Sequence, residues 1–352
     1  MKLDRTLKSL GFEKSTLEHA MYKRGKGTSC LLVGVYVDDF LIAGADEGEV
    51  AKFKLQMKEL FKMSDLGLLS YYLGIEVKQK AGVVTLCQES YAKKILERCG
   101  MEECNPSHVP MEPRLKLSKI SESPGVDATE YRSIVGSLRY LVNTRPDLAY
   151  SVGIVSRYME APTTEHMSAI KHILRYIKGT TNFGCVYSRD DGGKVKLHGY
   201  SDSDMAGDVD DRKSTSGVIY FHGKSPVSWL SQKQRIVAQS SCEAEYIAVA
   251  TAASQGVWLS RLLGDLTNQE PEKVVLKIDN KSAISLCKNP VHHERSKHID
   301  TKYHYIRECV EEKRIDVNYV GTDDQLADIL TKSLGRLKFL EMRQKIGVQA
   351  VR

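Results

Sequence analysis

The order of strands and helices in the C-terminal part of the chain restricts its fold more than any other feature. Three short runs of β-type residues with polar turns come first, at 194–201, 215–222 and 226–231. Helices and strands then alternate, with helices expected over 241–266, 282–287, 301–312, 324–330 and 336–345, and strands over 274–278 and 315–320. This order predicts a mixed α/β layer domain over residues 194–345.

Acidic residues stand near the ends of several of these strands and helices. They are Asp202 after the first strand, Glu245 in the first turns of the long helix, Asp279 after a later strand, and Asp328 in a late helix. If the strands are neighbours, these carboxylates could converge on one face. Converging carboxylates repel one another unless divalent cations lie between them. Two Mg²⁺ ions about 3.5–4 Å apart form the usual clamp for in-line phosphodiester hydrolysis.

A second acidic motif lies near the start of the chain. The apolar run 31–35 predicts a strand and 40–44 its return, so Asp38 and Asp39 are expected at the tip of a hairpin. Paired carboxylates suit Mg²⁺, a hard cation that prefers oxygen ligands. A two-metal polymerase also needs a third carboxylate on a neighbouring upstream strand, yet Asp4, the sole upstream aspartate, lies in a helix-like segment. We therefore expect a metal-binding pair in a polymerase part that is truncated at its start.

Linker-type residues divide the chain at two places. Segments 104–113 and 121–125 are rich in Pro and Ser, and Asp-Asp-Gly-Gly at 190–193 marks a sharper change of pattern. A chain of 352 residues suggests two or three domains at about 100–200 residues each. We predict one part over 1–185 and a second part over 194–345.

Composition excludes several classes of protein. The net charge of +6 permits a polyanionic partner without requiring one. The eight cysteines include no C-x-x-C pair, so neither a disulfide framework nor a zinc knuckle is indicated. We find no signal peptide and no apolar run of about 18 residues. These features predict an intracellular protein, cytoplasmic or nuclear and not secreted, with reduced thiols and no membrane partner.

Two polar segments allow further interpretations. Residues 212–216 offer cationic and hydroxyl donors next to the strand of Asp202, which suits a phosphate contact, and a solvated turn is an equal alternative. Four histidines suggest a zinc site, but Cys309 has no C-x-x-C partner, so a polar surface is the better interpretation. These histidines are His292, His293, His298 and His304.

Several strings occur along the chain in the order of one family. In the C-terminal part they are 199–204 (GYSDSD), 211–217 (DRKSTSG), 240–248 (SSCEAEYIA), 297–300 (KHID) and 324–332 (DQLADILTK). With them, this part resembles the ribonuclease H domain of copia-type long-terminal-repeat retrotransposon polyproteins. Upstream, GFEKS, YVDD, YLGI and RPD look like the palm end of a reverse transcriptase and its thumb or connection segments, at 11–15, 36–39, 72–75 and 145–147. The resemblance spans nearly the whole chain.

The resemblance implies an α/β (α+β) chain in which a truncated reverse-transcriptase palm and thumb-connection remnant precedes a ribonuclease-H-like mixed-sheet domain. It implies that the catalytic, metal-binding carboxylates are Asp202, Glu245, Asp279 and Asp328. It also implies two Mg²⁺ ions, with Mn²⁺ as a substitute, and an RNA–DNA hybrid as the nucleic-acid partner. Nearby acids are interpreted as non-ligands: Asp204, Glu243, Asp323 and Asp324.

The implied function is hydrolysis of the RNA strand of RNA–DNA hybrids by a retrotransposon-derived ribonuclease H attached to an incomplete reverse transcriptase. The rival interpretation is a catalytically inactive relic that folds and at most binds nucleic acid. Polymerase activity ranks third because the upstream carboxylate is missing. Met205 and Ser333 depart from the family's usual Trp and Pro, but neither change removes a ligand. The sequence does not indicate an oligomeric state.

Overall fold

A computed structural model of the protein describes residues 2–189, 195–288 and 301–351. These residues form two units. The first comprises Met1–Leu69 and Val257–Lys273, and the second comprises Ser70–Gly256 and Val274–Arg352.

The division of the chain into 1–185 and 194–345 stays a prediction. Its boundary signal at 190–193 lies outside the described residues, as do the KHID string at 297–300 and three of the histidines considered above, His292, His293 and His298.

The first unit is built on a four-stranded antiparallel sheet. In order across the sheet, its strands are β1 (Glu13–Lys14), β2 (Met21–Arg24), β3 (Leu31–Tyr36) and β4 (Asp39–Gly44). Helix α1 (Lys2–Ser9) precedes the sheet and α2 (Glu47–Leu60) follows it. Asp46 caps α2 because its side chain accepts the backbone N–H groups of Gly48 and Glu49. The core of this unit contains Leu7, Phe12, Tyr22, Leu31, Val33, Phe53 and Met57.

The second unit begins with strands of an antiparallel sheet. These are β5 (Tyr71–Tyr72), β6 (Ile75–Lys80), β7 (Val83–Cys87) and, after the helices, β8 (Phe183–Ser188). The last strand of the chain pairs with β8, so the sheet contains residues from both ends of this unit. Between β7 and β8 lie the helices α3 (Glu89–Arg98), α4 (Ala128–Leu141), α5 (Ala149–Val155) and α6 (Thr164–Lys178).

A buried ion pair fixes the connection between α4 and α5. Arg145 donates to both carboxylate oxygens of Asp147, at 2.9 and 2.8 Å, and also to Thr180. Tyr176 of α6 donates to the same carboxylate at 2.6 Å. Burial opposes both charges, but the bidentate pair satisfies them together. The RPD string at 145–147 therefore has a structural role in this unit.

A five-stranded mixed sheet carries the candidate site. Strands β9 (Leu197–Ser203), β10 (Thr215–His222) and β11 (Ser225–Lys233) are antiparallel, and β12 (Val274–Ile278) and β13 (Ile315–Tyr319) add parallel to β9. The order across the sheet is β11-β10-β9-β12-β13. The remaining elements are α7 (Ser241–Thr267), α8 (Lys281–Lys288), α9 (Tyr305–Glu311), α10 (Arg336–Lys345) and β14 (Val348–Ala350). The predicted mixed α/β class, with a mixed sheet in the C-terminal part, is confirmed.

Strands β5 and β6 are separated at Leu73 and Gly74, which both take a positive φ, of 49° and 77°. Two predicted helices differ from the structure. The helix expected over 301–312 begins with a 3₁₀ turn, Thr301–His304, and continues as α9. The helix expected over 324–330 is two 3₁₀ turns, Thr322–Asp324 and Leu326–Leu330, separated by Gln325 in an extended conformation. The Gln325 side chain donates to the carbonyl of Ser201 in β9, which anchors the second turn to the sheet.

The described helices include none that is long and apolar enough to cross a membrane. All eight cysteines lie in described parts of the chain, and each is a free thiol.

Candidate metal centre

Three carboxylates meet where β9 and β12 end. Asp202 lies near the end of β9, Asp279 directly follows β12, and Glu245 lies in the second turn of α7. One carboxylate oxygen of each lies within 4.8 Å of the others. The parallel register pairs Tyr200 with Lys277, so Asp202 and Asp279, each two residues further on, lie side by side at the ends of these strands. The structure thus brings together three of the four predicted ligands.

The start of α7 positions Glu245. The helix begins with a reciprocal cap, in which Ser240 Oγ accepts the N–H of Glu243 and Glu243 Oε2 accepts the N–H of Gln239. Glu243 is therefore engaged at the helix start and lies outside the carboxylate cluster. The backbone N–H of Ser203 donates to Glu245 Oε1 at 3.1 Å and holds this side chain against the end of β9. Glu245 Oε2 is buried without a hydrogen-bond donor among the described residues.

Asp328, the fourth predicted ligand, lies beside this cluster. It is buried in the 3₁₀ turn Leu326–Leu330, and its carboxylate interacts with that of Asp202. The turn can approach the sheet because Gly217 of β10 has no side chain. A Cβ at that position would lie 2.6 Å from Thr331 Cγ2 and 2.9 Å from the Ala327 carbonyl oxygen. The turn of Asp328 packs on the face of Gly217, and α7 packs on the opposite face, against Tyr220, so the four predicted carboxylates meet at the end of β9. Asp202 interacts with each of the other three.

Two further residues of the centre were missed by sequence reasoning. Thr331 Oγ1 donates a hydrogen bond to Asp202 Oδ2. Lys332 Nζ lies 2.8 Å from Asp328 Oδ1 and 3.9 Å from Asp202 Oδ2. Both follow Asp328 in the DILTK string. The signal in the sequence was the spacing of four between Asp328 and Lys332, at which an acid and a base face each other in a helical turn.

The electrostatics of the centre favour neutralisation of its carboxylates. Burial raises the pKa of Glu245 to about 10, and the neighbouring Asp202 and Asp279 contribute to the shift. Burial, together with Asp202, raises the pKa of Asp328 to about 7 and that of Asp279 above its ordinary value. A proton or a cation relieves this repulsion. Because all four groups are oxygen donors, they fit a hard divalent cation such as Mg²⁺.

Asp204 occupies a different environment. Its carboxylate accepts the backbone N–H of Thr215 across the strand end and lies outside the cluster of Asp202. Burial raises the pKa of Asp204 to about 6, although the hydrogen bond from Thr215 acts in the opposite direction. This carboxylate stabilises the connection from β9 to β10.

Asp38 and Asp39 lie at the tip of the predicted hairpin in the first unit. Tyr36 pairs with Asp39 where β3 meets β4, Val37 takes a positive φ of 53°, and both aspartates are exposed. In the described part of the chain, the sole group of three potential metal ligands is the one at Asp202, so no third carboxylate or other ligand joins this pair. The hairpin is confirmed, and metal binding there stays a prediction.

The turn at 212–216 has buried hydroxyls and solvent-accessible basic side chains. Ser214 and Thr215 are buried, and their hydroxyls accept hydrogen bonds from Ala206 N–H and from Arg157. Lys213 pairs with Asp211 at 3.4 Å, and Arg212 is exposed. These two hydroxyls therefore act as acceptors inside the protein, and the phosphate contact at this turn stays a prediction. His304, the one described member of the histidine group, contacts the hydroxyl of Tyr246 through Nδ1 at 3.0 Å.

Comparisons with known proteins identify the family. The family model described as "Reverse transcriptase (RNA-dependent DNA polymerase)" matches residues 1–113. The retrovirus-related Pol polyprotein from transposon RE1 of Arabidopsis thaliana is 42% identical over 351 residues, covering 100% of this chain and 24% of that polyprotein. The "Putative transposon Ty5-1 protein" of Saccharomyces cerevisiae is 31% identical over 251 residues, covering 70% of this chain and 81% of that protein. The chain belongs to the family of this transposon protein.

The predicted resemblance to Pol polyproteins of copia-type transposons is confirmed at this level. The chain spans about a quarter of the length of the RE1 polyprotein that it matches. Among solved structures, LC11-RNase H1, isolated from compost, is 18% identical and covers 39% of this chain and 92% of its own, with a TM-score of 0.28. A TM-score this low supports no inference about fold or function.

Proposed function

We propose that this transposon protein hydrolyses the RNA strand of RNA–DNA hybrids at the carboxylate centre. The proposal is supported above all by the three acidic side chains of the centre, Asp202, Glu245 and Asp279, whose oxygens lie within 4.8 Å of one another. An isolated acid is most often a solvated surface charge. Asp202 and Glu245 are buried and Asp279 is half-buried, and carboxylates this close together are costly unless a cation binds them. Such clusters are frequent at functional sites.

Asp202 is the ligand best placed to bind both of the divalent cations proposed here. With Glu245 and Asp279 it would hold one ion, and with Asp328 it would hold the other. Two bound ions supply a nucleophile from water and stabilise the leaving 3′ oxygen in an in-line displacement. Mg²⁺ is the proposed ion, with Mn²⁺ as a substitute, because the donor set consists of carboxylate oxygens alone.

The protein's own contribution is to hold these carboxylates before substrate arrives. The N–H of Ser203 fixes Glu245, the hydroxyl of Thr331 fixes Asp202, and Gln325 fastens the turn of Asp328 to β9. Such contacts behind the ligands keep metal sites in working geometry. All three contacts come from backbone or uncharged groups, so they orient the carboxylates without neutralising them.

The substrate proposed is a nucleic-acid hybrid bound through its phosphates and 2′-hydroxyls, and not through its base sequence. We also propose that residues 1–185 form a reverse-transcriptase-like part and residues 194–345 the nuclease part. The net charge of +6 is compatible with a polyanionic substrate.

A cleavage assay tests the proposal. We expect Mg²⁺-dependent cleavage of an RNA–DNA hybrid by the purified chain and no cleavage of double-stranded DNA. Because phosphate contacts dominate affinity for nucleic acids, higher salt should raise the hybrid concentration needed for half-maximal rate before it lowers the maximal rate. If folded protein cleaves nothing at saturating hybrid with Mg²⁺ or Mn²⁺, the proposal is wrong and the protein is an inactive relic.

A further inference from the structure

One basic side chain enters the carboxylate centre. Lys332 Nζ lies 2.8 Å from Asp328 Oδ1 and 3.9 Å from Asp202 Oδ2. The backbone N–H of Lys332 also donates to the Asp328 carbonyl at 3.2 Å, so the main chain holds the lysine close to this aspartate. The Lys332 side chain is 44% exposed, and its flexible four-carbon stem can carry the ammonium out into solvent.

The two sides of the centre differ in how they are neutralised. On one side, no ion pair joins Glu245 or Asp279 to a basic side chain within the described parts of the chain. On the other side, the ammonium of Lys332 already contacts the carboxylates of Asp202 and Asp328. A cation that uses Asp328 Oδ1 as a ligand must therefore displace Lys332, whereas a cation bound by Glu245 and Asp279 need not.

We propose that Lys332 is a built-in counter-ion that makes the two cation positions unequal and sets the order in which they fill. The first divalent ion binds between Asp202, Glu245 and Asp279. The second binds at Asp202 and Asp328 with lower affinity, because it competes with an ammonium tethered to the same turn. Lys332 is thus a positioning residue for the proposed metal centre, and the inference rests on the proposed function only in that the centre binds two ions.

Direct Mn²⁺ binding to the whole chain, without nucleic acid, tests this proposal. Free Mn²⁺ is measured by electron paramagnetic resonance during titration of wild type, Lys332→Met and Lys332→Arg. We expect one tight and one weak binding event in wild type. In Lys332→Met the weak event should tighten about tenfold, less than an unscreened charge would give because Lys332 is partly exposed. The tight event should change little, and Lys332→Arg should restore a weak second event.

Two matched variants serve as controls. Lys338→Met removes an ammonium in α10 that contacts the Asp323 carbonyl and lies outside the centre, so both dissociation constants should stay as in wild type. Asp328→Asn should remove the second binding event whether or not Lys332 is present. Lys332→Gln replaces Lys332→Met if the latter does not fold, as judged by circular dichroism.

The outcomes separate this inference from the proposed function. Tighter second binding in Lys332→Met supports the inference even if no hybrid is cleaved. Unchanged or weaker second binding in folded Lys332→Met and Lys332→Gln overturns it, even if the wild-type chain cleaves hybrid. A single Mn²⁺ bound by both wild type and Lys332→Met also overturns it.

Discussion

At the scale of single residues, the carboxylates of the centre repel one another, and neighbouring side chains oppose this repulsion. Asp202 contacts or interacts with every other acid of the centre, and the opposing contributions come from Thr331 and Lys332. Burial lowers the pKa of Lys332, but Asp202 and Asp328 outweigh it and the net shift is upward. The metal-free protein therefore keeps its ammonium and shifts the carboxylates Glu245 and Asp328 towards their protonated forms.

The raised pKa values predict how metal-free stability depends on pH. Glu245, with a pKa of about 10, and Asp328, with a pKa of about 7, favour the protonated form in the folded state. Their stabilising contribution is complete below the unfolded pKa values, near 4, and is lost as pH rises through the folded values. In EDTA, the melting temperature should fall from pH 5 to pH 9, and the fall should be shallower in Glu245→Gln. Equal slopes in the two proteins would contradict the electrostatic account.

Thr331 provides a second prediction at this scale. Thr331→Val keeps the shape of the side chain but removes the hydrogen bond to Asp202, so this ligand loses its orientation. We expect metal affinity and hybrid cleavage to fall about 10- to 100-fold, as when the support of a metal ligand is removed. Thr331→Ser retains the hydroxyl and should keep most of both. If Thr331→Val matches wild type in Mn²⁺ binding and in cleavage rate, the hydroxyl does not position Asp202.

At the scale of elements, sequence patterns located the strands of the mixed sheet better than the turn of Asp328. The strands at 215–222 and 274–278 have the predicted bounds, because β-type residues there end at clear turn signals. The turn at 324–330 differs because Gln325 extends and bonds to Ser201, a residue far away in the sequence. For the same reason, the contacts of Thr331 and Lys332 with Asp202 could not be derived without the position of β9.

Gly217 provides a prediction at the element scale. Gly217→Ala would place a Cβ 2.6 Å from Thr331 Cγ2 and 2.9 Å from the Ala327 carbonyl, which pushes the turn away from β10. We expect a loss of about 1–3 kcal/mol in the free energy of unfolding, the usual cost of overpacking, and reduced cleavage. Gly136→Ala in α4 is the control, since its Cβ would meet nothing within 4 Å. It should be neutral or stabilising by up to about 1 kcal/mol in urea unfolding. A Gly217→Ala protein as stable as this control would contradict the close approach of the turn.

At the scale of the whole molecule, the features that sequence reasoning could not predict are pairings between strands that are far apart in the chain. The last strand, β14, pairs with β8, and Val348 lies opposite Cys185. Helix α7 has residues in both units, so the units do not follow the order of the chain. Local patterns predicted the mixed α/β class and the hairpin of Asp38 and Asp39, but they contain no information on these distant partners.

For the chain as a whole, we predict that polymerase activity is absent. Asp38 and Asp39 are exposed, and no third carboxylate of the described residues joins them. A two-metal polymerase site needs such a partner. We expect no nucleotide incorporation by the purified chain on a primed RNA template. Incorporation that disappears in Asp38→Asn would show that another carboxylate completes the site.

The most direct test of the metal centre compares Asp202→Asn with Asp204→Asn in Mg²⁺-dependent hybrid cleavage. Both changes replace one carboxylate at the end of β9 by an amide. Asp202 lies in the carboxylate cluster with Glu245 and Asp279. Asp204 instead accepts the N–H of Thr215, and the amide oxygen of an asparagine can accept the same hydrogen bond. Cleavage should fall below detection in Asp202→Asn, with the fold intact by circular dichroism, and should largely persist in Asp204→Asn. Loss in Asp204→Asn with activity retained in Asp202→Asn would contradict the assignment of the centre.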